Sequence, residues 1–149
     1  MSQPVTLCLM RSQVETLQGL AAAAYPQECC GLLVGEGNAE ITVVEVISAP
    51  NMAEEPRKGF AIDPQLQFDT LRATRDTLDR VEGRRVVGHY HSHPNGRATP
   101  SAHDFAMAHD PDAVWLILAV SGEGPPQLRA FRRPADQQDF VEIPMRIQP

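Results

Sequence analysis

Residues 88–104 read GHYHSHPNGRATPSAHD. The preceding Val86-Val87 makes residues 86–92 strand-like, and His93-Pro94-Asn95-Gly96 then turns the chain. On an extended strand His91 and His93 are two residues apart and project to one face, while Ser92 points away. Two imidazoles on one face can converge on a single metal ion at ~2.0–2.1 Å. The polar loop 95–99 brings a helix start back beside them, and Asp104 falls in its first turn as a third, carboxylate ligand. Two histidines and one carboxylate leave the fourth tetrahedral position to water, which is what an open catalytic site requires.

Working outward, residues 5–9 form a strand, followed by a helix whose Ser12-x-x-Glu15 fits a capping box. Its apolar residues Val14, Leu17, Leu20, Ala21 and Ala24 recur at helical spacing, and Pro26 closes it. Residues 29–35 and 40–47 are strands about a Glu36-Gly37-Asn38 turn, and 48–58 is a loop rich in Pro and Glu. A second helix starts with Asp63 as N-cap and Pro64 in the first position, running to about residue 80. A short helix spans 101–109, and strands at 114–120, 127–132 and 140–147 close the chain. This order predicts an α/β (α+β) protein with a mixed, partly curled β-sheet flanked by helices. No repeat or long linker divides it, so 1–149 reads as one domain.

The 149 residues carry 13 Lys plus Arg against 19 Asp plus Glu, a formal charge of −6. Twelve of the cations are Arg and one is Lys58, with no basic run longer than a pair. An acidic chain without a basic stripe argues against nucleic acid and anionic membranes as partners. No apolar run approaches the ~20 residues of a membrane span, and the N-terminus lacks the features of a secretory signal. Three cysteines, Cys8, Cys29 and Cys30, give an odd count without CxxC. Adjacent Cys29 and Cys30 would face opposite sides of a strand, so free thiols in a reducing cytoplasm are expected.

Activating water at a metal also needs a base to carry its proton to the leaving amine. The segment around the histidines offers no spare Glu. Glu28, in 25-YPQECCGLLVG-35, is the best upstream candidate, although spacing alone does not place it beside them.

The combination of Glu28-x-Cys30-Gly31 with His91-Ser92-His93, seven residues, Ser101, two residues and Asp104 resembles the JAMM (MPN-plus) metalloprotease signature. Asn51 in its Pro-flanked loop, the FAIDP stretch at 60–64 and VVGHYHSHP extend the resemblance over nearly the whole chain. It implies an MPN/JAB-like architecture, related to cytidine deaminases, and one Zn2+ held by His91, His93 and Asp104. It further implies Glu28 as general acid/base, with Ser101 hydrogen-bonding the attacking water or stabilising the oxyanion. The implied activity is zinc-dependent hydrolysis of a peptide or isopeptide bond at the C-terminus of a ubiquitin-like, sulfur-carrier-type protein. A catalytically silent MPN scaffold and a zinc hydrolase of another peptide substrate are the alternatives. The intact set of motif elements disfavours the scaffold.

Plainer readings exist for each element. Alternate histidines occur on ordinary half-exposed strands, and Ser101-x-x-Asp104 is itself a capping box that can coexist with a role at a metal. Only their combination singles out the metal centre. His89 shares the face of His91 and either packs or makes an outer contact to the site. Cys30 reads as a small buried residue, Trp115 as core, and His103 and His109 as surface. Arg97 is either a solvated loop charge or a group that meets a substrate carboxylate or backbone, and the solvated reading is open for Arg57 and Lys58 as well. HExxH is absent, as are phosphate-binding glycine loops and the HxE and PCxxC elements of a zinc deaminase.

Overall fold

The computed structural model describes residues 4–78 and 83–149. Eight strands and three helices follow in the order β1 (Thr6–Met10), α1 (Arg11–Ala24), β2 (Cys30–Glu36), β3 (Glu40–Ala49), α2 (Pro64–Leu78), β4 (Arg85–His93), α3 (Ala102–Met107), β5 (Val114–Ala119), β6 (Gln127–Arg132), β7 (Val141–Ile143) and β8 (Met145–Gln148). The strands form one sheet in the order β7-β6-β5-β4-β2-β3-β1-β8. Pairing is mixed: β4 runs parallel to β5, and β1 runs parallel to both β3 and β8. The β2–β3, β2–β4, β5–β6 and β6–β7 pairs are antiparallel.

The predicted strand at 140–147 is in fact two strands. Pro144 separates them, and they pair at opposite ends of the sheet, β7 with β6 and β8 with β1. A proline lacks the N–H that would continue a ladder, so the chain changes partners there. Its carbonyl accepts from the Leu7 N–H at 2.9 Å. Because the two edge strands are joined by a single residue, the sheet is curled almost shut.

Two apolar clusters lie on opposite faces of this sheet. The larger gathers Leu7 and Leu9 from β1, Leu33 from β2, Tyr90 from β4 and Leu116 and Leu118 from β5, beneath Leu17 and Ala21 of α1. The smaller contains Trp115, Ile117, Phe131 and Ala108, with Phe60 and Phe140 packed against it. Alternation along β5 assigns successive residues to the two clusters, as a period of two demands.

Helix starts distinguish the two longer helices. Asp63 caps α2 as expected, its Oδ1 accepting from the Gln65 N–H at 2.9 Å. The end expected for this helix near residue 80 lies outside the described residues. In α1 the Ser12/Glu15 capping box is not used. The helix begins at Arg11, and the Gln13 side chain accepts from the Met10 N–H at 2.9 Å. A Gln three residues past the cap serves as well as the Glu that the pattern favoured. The short helix α3 stops at Met107, two residues before the expected end.

Candidate metal centre

β4 carries His91 and His93 on one face, and both are buried. α3 returns beside them with Ser101 as its N-cap. The Asp104 N–H donates to Ser101 Oγ at 3.1 Å, and the Ser101 N–H donates to Asp104 Oδ2 at 2.8 Å. This reciprocal capping aims a buried carboxylate at the histidines. Asp104 Oδ1 lies 3.2 Å from His91 Nε2, Oδ2 lies 3.1 Å from His93 Nε2, and the two Nε2 atoms are 3.0 Å apart. Tetrahedral ligands at zinc distances are separated by about 3.3 Å, so these spacings fall a few tenths of an ångström short of that geometry.

The chemistry of the donor set points the same way. His93 Nδ1 is 2.8 Å from the Arg97 carbonyl oxygen, which only accepts, so the ring proton sits on Nδ1. The lone pair on Nε2 then faces the carboxylate of Asp104 and the Nε2 of His91. A cation at their convergence relieves this, and the residues fit a divalent metal. Without one, a proton does part of the task. Burial opposes charge on His93, but its hydrogen bonds to Asp104 and the Arg97 carbonyl prevail and raise its pKa. Burial dominates at His91 and lowers its pKa, while its Nδ1 finds no hydrogen-bond partner. Burial works against ionised Asp104 too, yet the two imidazoles hold it far below the usual carboxylate range.

Glu28 joins them through the sheet. Cys30 pairs with His91 in the antiparallel β2–β4 register, which sets Glu28 across from His93 when continued two residues. Ser92, pointing away from the histidines, fastens this junction. Its Oγ accepts from the Cys29 N–H at 2.8 Å, and its own N–H donates to the Cys29 carbonyl at 3.0 Å. Glu28, His91 and His93 each present a ligand-type atom within 4.8 Å of the others. Asp104 lies 3.2 Å and 3.1 Å from the two imidazole Nε2 atoms, so four ligand-type side chains, Glu28 among them, gather at this point. Burial pushes its pKa up to about 7, against the pull of His93 and with the help of Asp104. A carboxyl poised there can both accept and return a proton near neutrality.

The loop after β3 holds Glu28 from the other side. The Glu28 N–H donates to the Pro56 carbonyl at 2.7 Å. Asn51 Nδ2 donates to the Glu28 and Gly59 carbonyls, each at 3.0 Å, while its Oδ1 accepts from the N–H groups of Ala53 and Ala61. Sequence reasoning gave Asn51 no such role, and an amide between Pro-rich stretches was the available signal. Phe60 was likewise missed: its ring stacks on His91 with centroids 4.3 Å apart.

Gly31 of the motif has a packing reason. It pairs with Tyr90, and a Cβ there would overlap the Ile47 carbonyl oxygen and the Tyr90 ring. His89 packs edge-on against Trp115 at 4.3 Å, its Nδ1 unpartnered among the described residues and its pKa lowered to about 3 by burial. Cys30 is buried, with burial raising its thiol to about 12, and all three cysteines are free. His103 and His109 are exposed.

A fold of this curled mixed sheet, with a His-x-His strand facing an acid-bearing helix, is that of JAB-type hydrolases. The family model for prokaryotic homologs of the JAB domain matches residues 11–134, and the chain belongs to that family. It is 37% identical over 102 residues to a desampylase of Haloferax volcanii, spanning 68% of this chain and 69% of that one. A probable TtuB-protein conjugate cleaving protease of Thermus thermophilus is 31% identical over 134 residues, 90% of this chain and 80% of its own. A CysO-cysteine peptidase of Mycobacterium tuberculosis is 27% identical over 126 residues, 85% and 82% of the two chains. The solution structure of protein DSY2949 from Desulfitobacterium hafniense superposes with a TM-score of 0.81 at 29% identity, covering 95% of this chain and 92% of that one.

Proposed function

We propose that this protein is a single-domain zinc peptidase that hydrolyses the amide bond joining the C-terminus of a ubiquitin-fold, sulfur-carrier-type protein to whatever is attached there. His91, His93 and Asp104 hold the metal, Glu28 is the general acid/base, and Ser101 assists. The observation that carries this reading is the convergence of the buried ligand-type atoms of His91, His93 and Asp104 on one point, with the protonatable carboxyl of Glu28 beside them. The names of the relatives support the substrate class, since they cleave conjugates or adducts of small carrier proteins. Zinc is supported by the ligand types. Among the described residues no helix is long and apolar enough to cross a membrane, and the free thiols support a cytoplasmic setting.

A divalent ion held by His91, His93 and Asp104 would supply Lewis acidity and so make water more acidic. Glu28 takes a proton from the attacking water and delivers it to the amide nitrogen as the C–N bond breaks. One water is consumed, and the products are the carrier's carboxylate and a free amine. Ser101 Oγ already accepts from the Asp104 N–H, so its hydroxyl hydrogen is left to donate to the oxyanion that develops on the carbonyl oxygen. His93 is kept in the correct tautomer by the Arg97 carbonyl.

Intact-mass spectrometry tests the proposal. A ubiquitin-fold sulfur carrier with a C-terminal extension, incubated with zinc-loaded protein, should lose the mass of the extension. The Glu28→Ala variant should bind zinc equally and leave the carrier intact. Turnover by that variant would overturn the mechanism. An intact carrier in the presence of zinc-loaded wild type would overturn the substrate assignment.

A further inference from the structure

Two depressions flank the metal centre along β4, and they differ in charge. One, of about 470 Å³, runs along the first half of the strand past His89, Trp115 and Met107. The other, of about 350 Å³, lies beyond the end of the strand, where Glu28, His93 and Ser101 meet Arg57, Lys58 and Arg97. Glu28 is the single acid in that second cleft, against three cations, although the chain as a whole carries −6. The three basic side chains are exposed, and none has an ion pair or hydrogen bond among the described residues. Arg57 and Lys58 come from the loop that Asn51 ties to Glu28, and Arg97 from the loop that orients His93. Their backbones are therefore fixed by the same bonds that fix the site.

The direction of proton transfer says which half of the substrate occupies this cleft. The group that protonates the leaving amine must lie within hydrogen-bond reach of it. Glu28 opens into the cation-rimmed cleft and does not line the other depression. The leaving amine, and whatever it belongs to, thus sits among Arg57, Lys58 and Arg97. A volume of about 350 Å³ accommodates one or two amino-acid residues rather than a folded protein.

Resting on the peptidase reading above, we propose that Arg57, Lys58 and Arg97 bind the free α-carboxylate of the leaving group. The preferred substrate is then a carrier extended at its C-terminus by a single amino acid or short peptide. Hydrolysis releases that amino acid with its amine protonated through Glu28 and its carboxylate held by the cations. An isopeptide to a lysine within a folded protein presents no carboxylate at this position and is the poorer substrate. Guanidinium and ammonium groups without partners of their own are suited to a carboxylate, and nearby positive charge strengthens the attraction.

The test compares three probes on one ubiquitin-fold sulfur carrier: a single C-terminal alanine, the same alanine as its amide, and an isopeptide to the lysine side chain of a blocked peptide. Wild type should cleave the free-acid probe with kcat/KM about ten- to fifty-fold above the amide and the isopeptide, the size expected for a partly exposed charge-assisted contact. In Arg57→Gln/Lys58→Gln/Arg97→Gln the ratio of acid to amide should fall to near one, and the corresponding variant with both arginines changed to lysine should recover part of it. Replacing the Arg97 side chain leaves its carbonyl in place for His93. Calorimetry with Glu28→Gln should show the same preference in Kd, without turnover. Equal handling of acid and amide by wild type, or a preference that survives the triple variant, overturns the inference and leaves the peptidase reading intact. Cleavage of none of the three overturns the peptidase reading itself.

Discussion

The two faces of β4 and β5 are built from the same strands and obey different rules. On the α1 side, Tyr90, Leu116 and Leu118 pack among aliphatic neighbours and belong to the large core. On the other side, the intervening residues are His89, His91 and His93; Trp115 meets the first two edge-on, and Phe60 stacks on His91. The aliphatic side chains of the α1 face carry no polar atom to satisfy. The histidine face buries lone pairs that answer only to a proton or a metal. One face therefore supports the fold unaided, while the other awaits a cation, and perturbations should separate them.

The largest separation comes from removing the metal. Exhaustive chelation should abolish hydrolysis yet leave far-UV circular dichroism unchanged, with activity returning on adding zinc; loss of the folded signal would make the histidine face structural. Leu116→Ala on the opposite side should lower unfolding free energy by ~2–5 kcal/mol, measured by urea denaturation, while the protein that remains folded keeps its zinc stoichiometry. Asn51→Ala sharpens the contrast at the margin of the site. It cuts the ties between the loop and the Glu28 carbonyl, so kcat should fall roughly ten- to a hundred-fold with zinc affinity preserved.

The smallest effect is a titration. In metal-free protein the Glu28 carboxyl, followed by carbon NMR, should show a midpoint near 7. The folded state then holds a proton that the unfolded chain has lost, so Glu28 lowers stability as pH rises from about 4.5 to 7. Glu28→Gln should remove that slope. Metal loading should move the midpoint down, because a nearby positive charge favours the carboxylate.

What was legible in the sequence was local. His91 and His93 declare a shared face by their spacing, Ser101 and Asp104 declare a helix start, and the mixed sheet with flanking helices follows from the order of elements. The meeting of Glu28 with His93 was carried by resemblance alone. It depends on the register between strands separated by the whole β3–α2 region, and no local pattern encodes that register. Pro144 was in view, yet which edges its two flanking strands would seek depends on closure of the sheet. The cap of α1 was misassigned because Gln13 and the Ser12/Glu15 pair make competing signals two residues apart. The five hydrogen bonds of the Asn51 side chain join segments that only the folded loop brings together.

The closure at Pro144 also bears on how the molecule meets other chains. An ordinary open sheet ends in rows of unpaired N–H and C=O groups, which template edge-to-edge polymerisation. Here the outermost rows belong to strands of three and four residues, β7 and β8. Between them stands a residue with no amide hydrogen to offer. An intruding strand finds no run long enough to seat itself, so the single sheet that builds the site is protected against growing into a fibre.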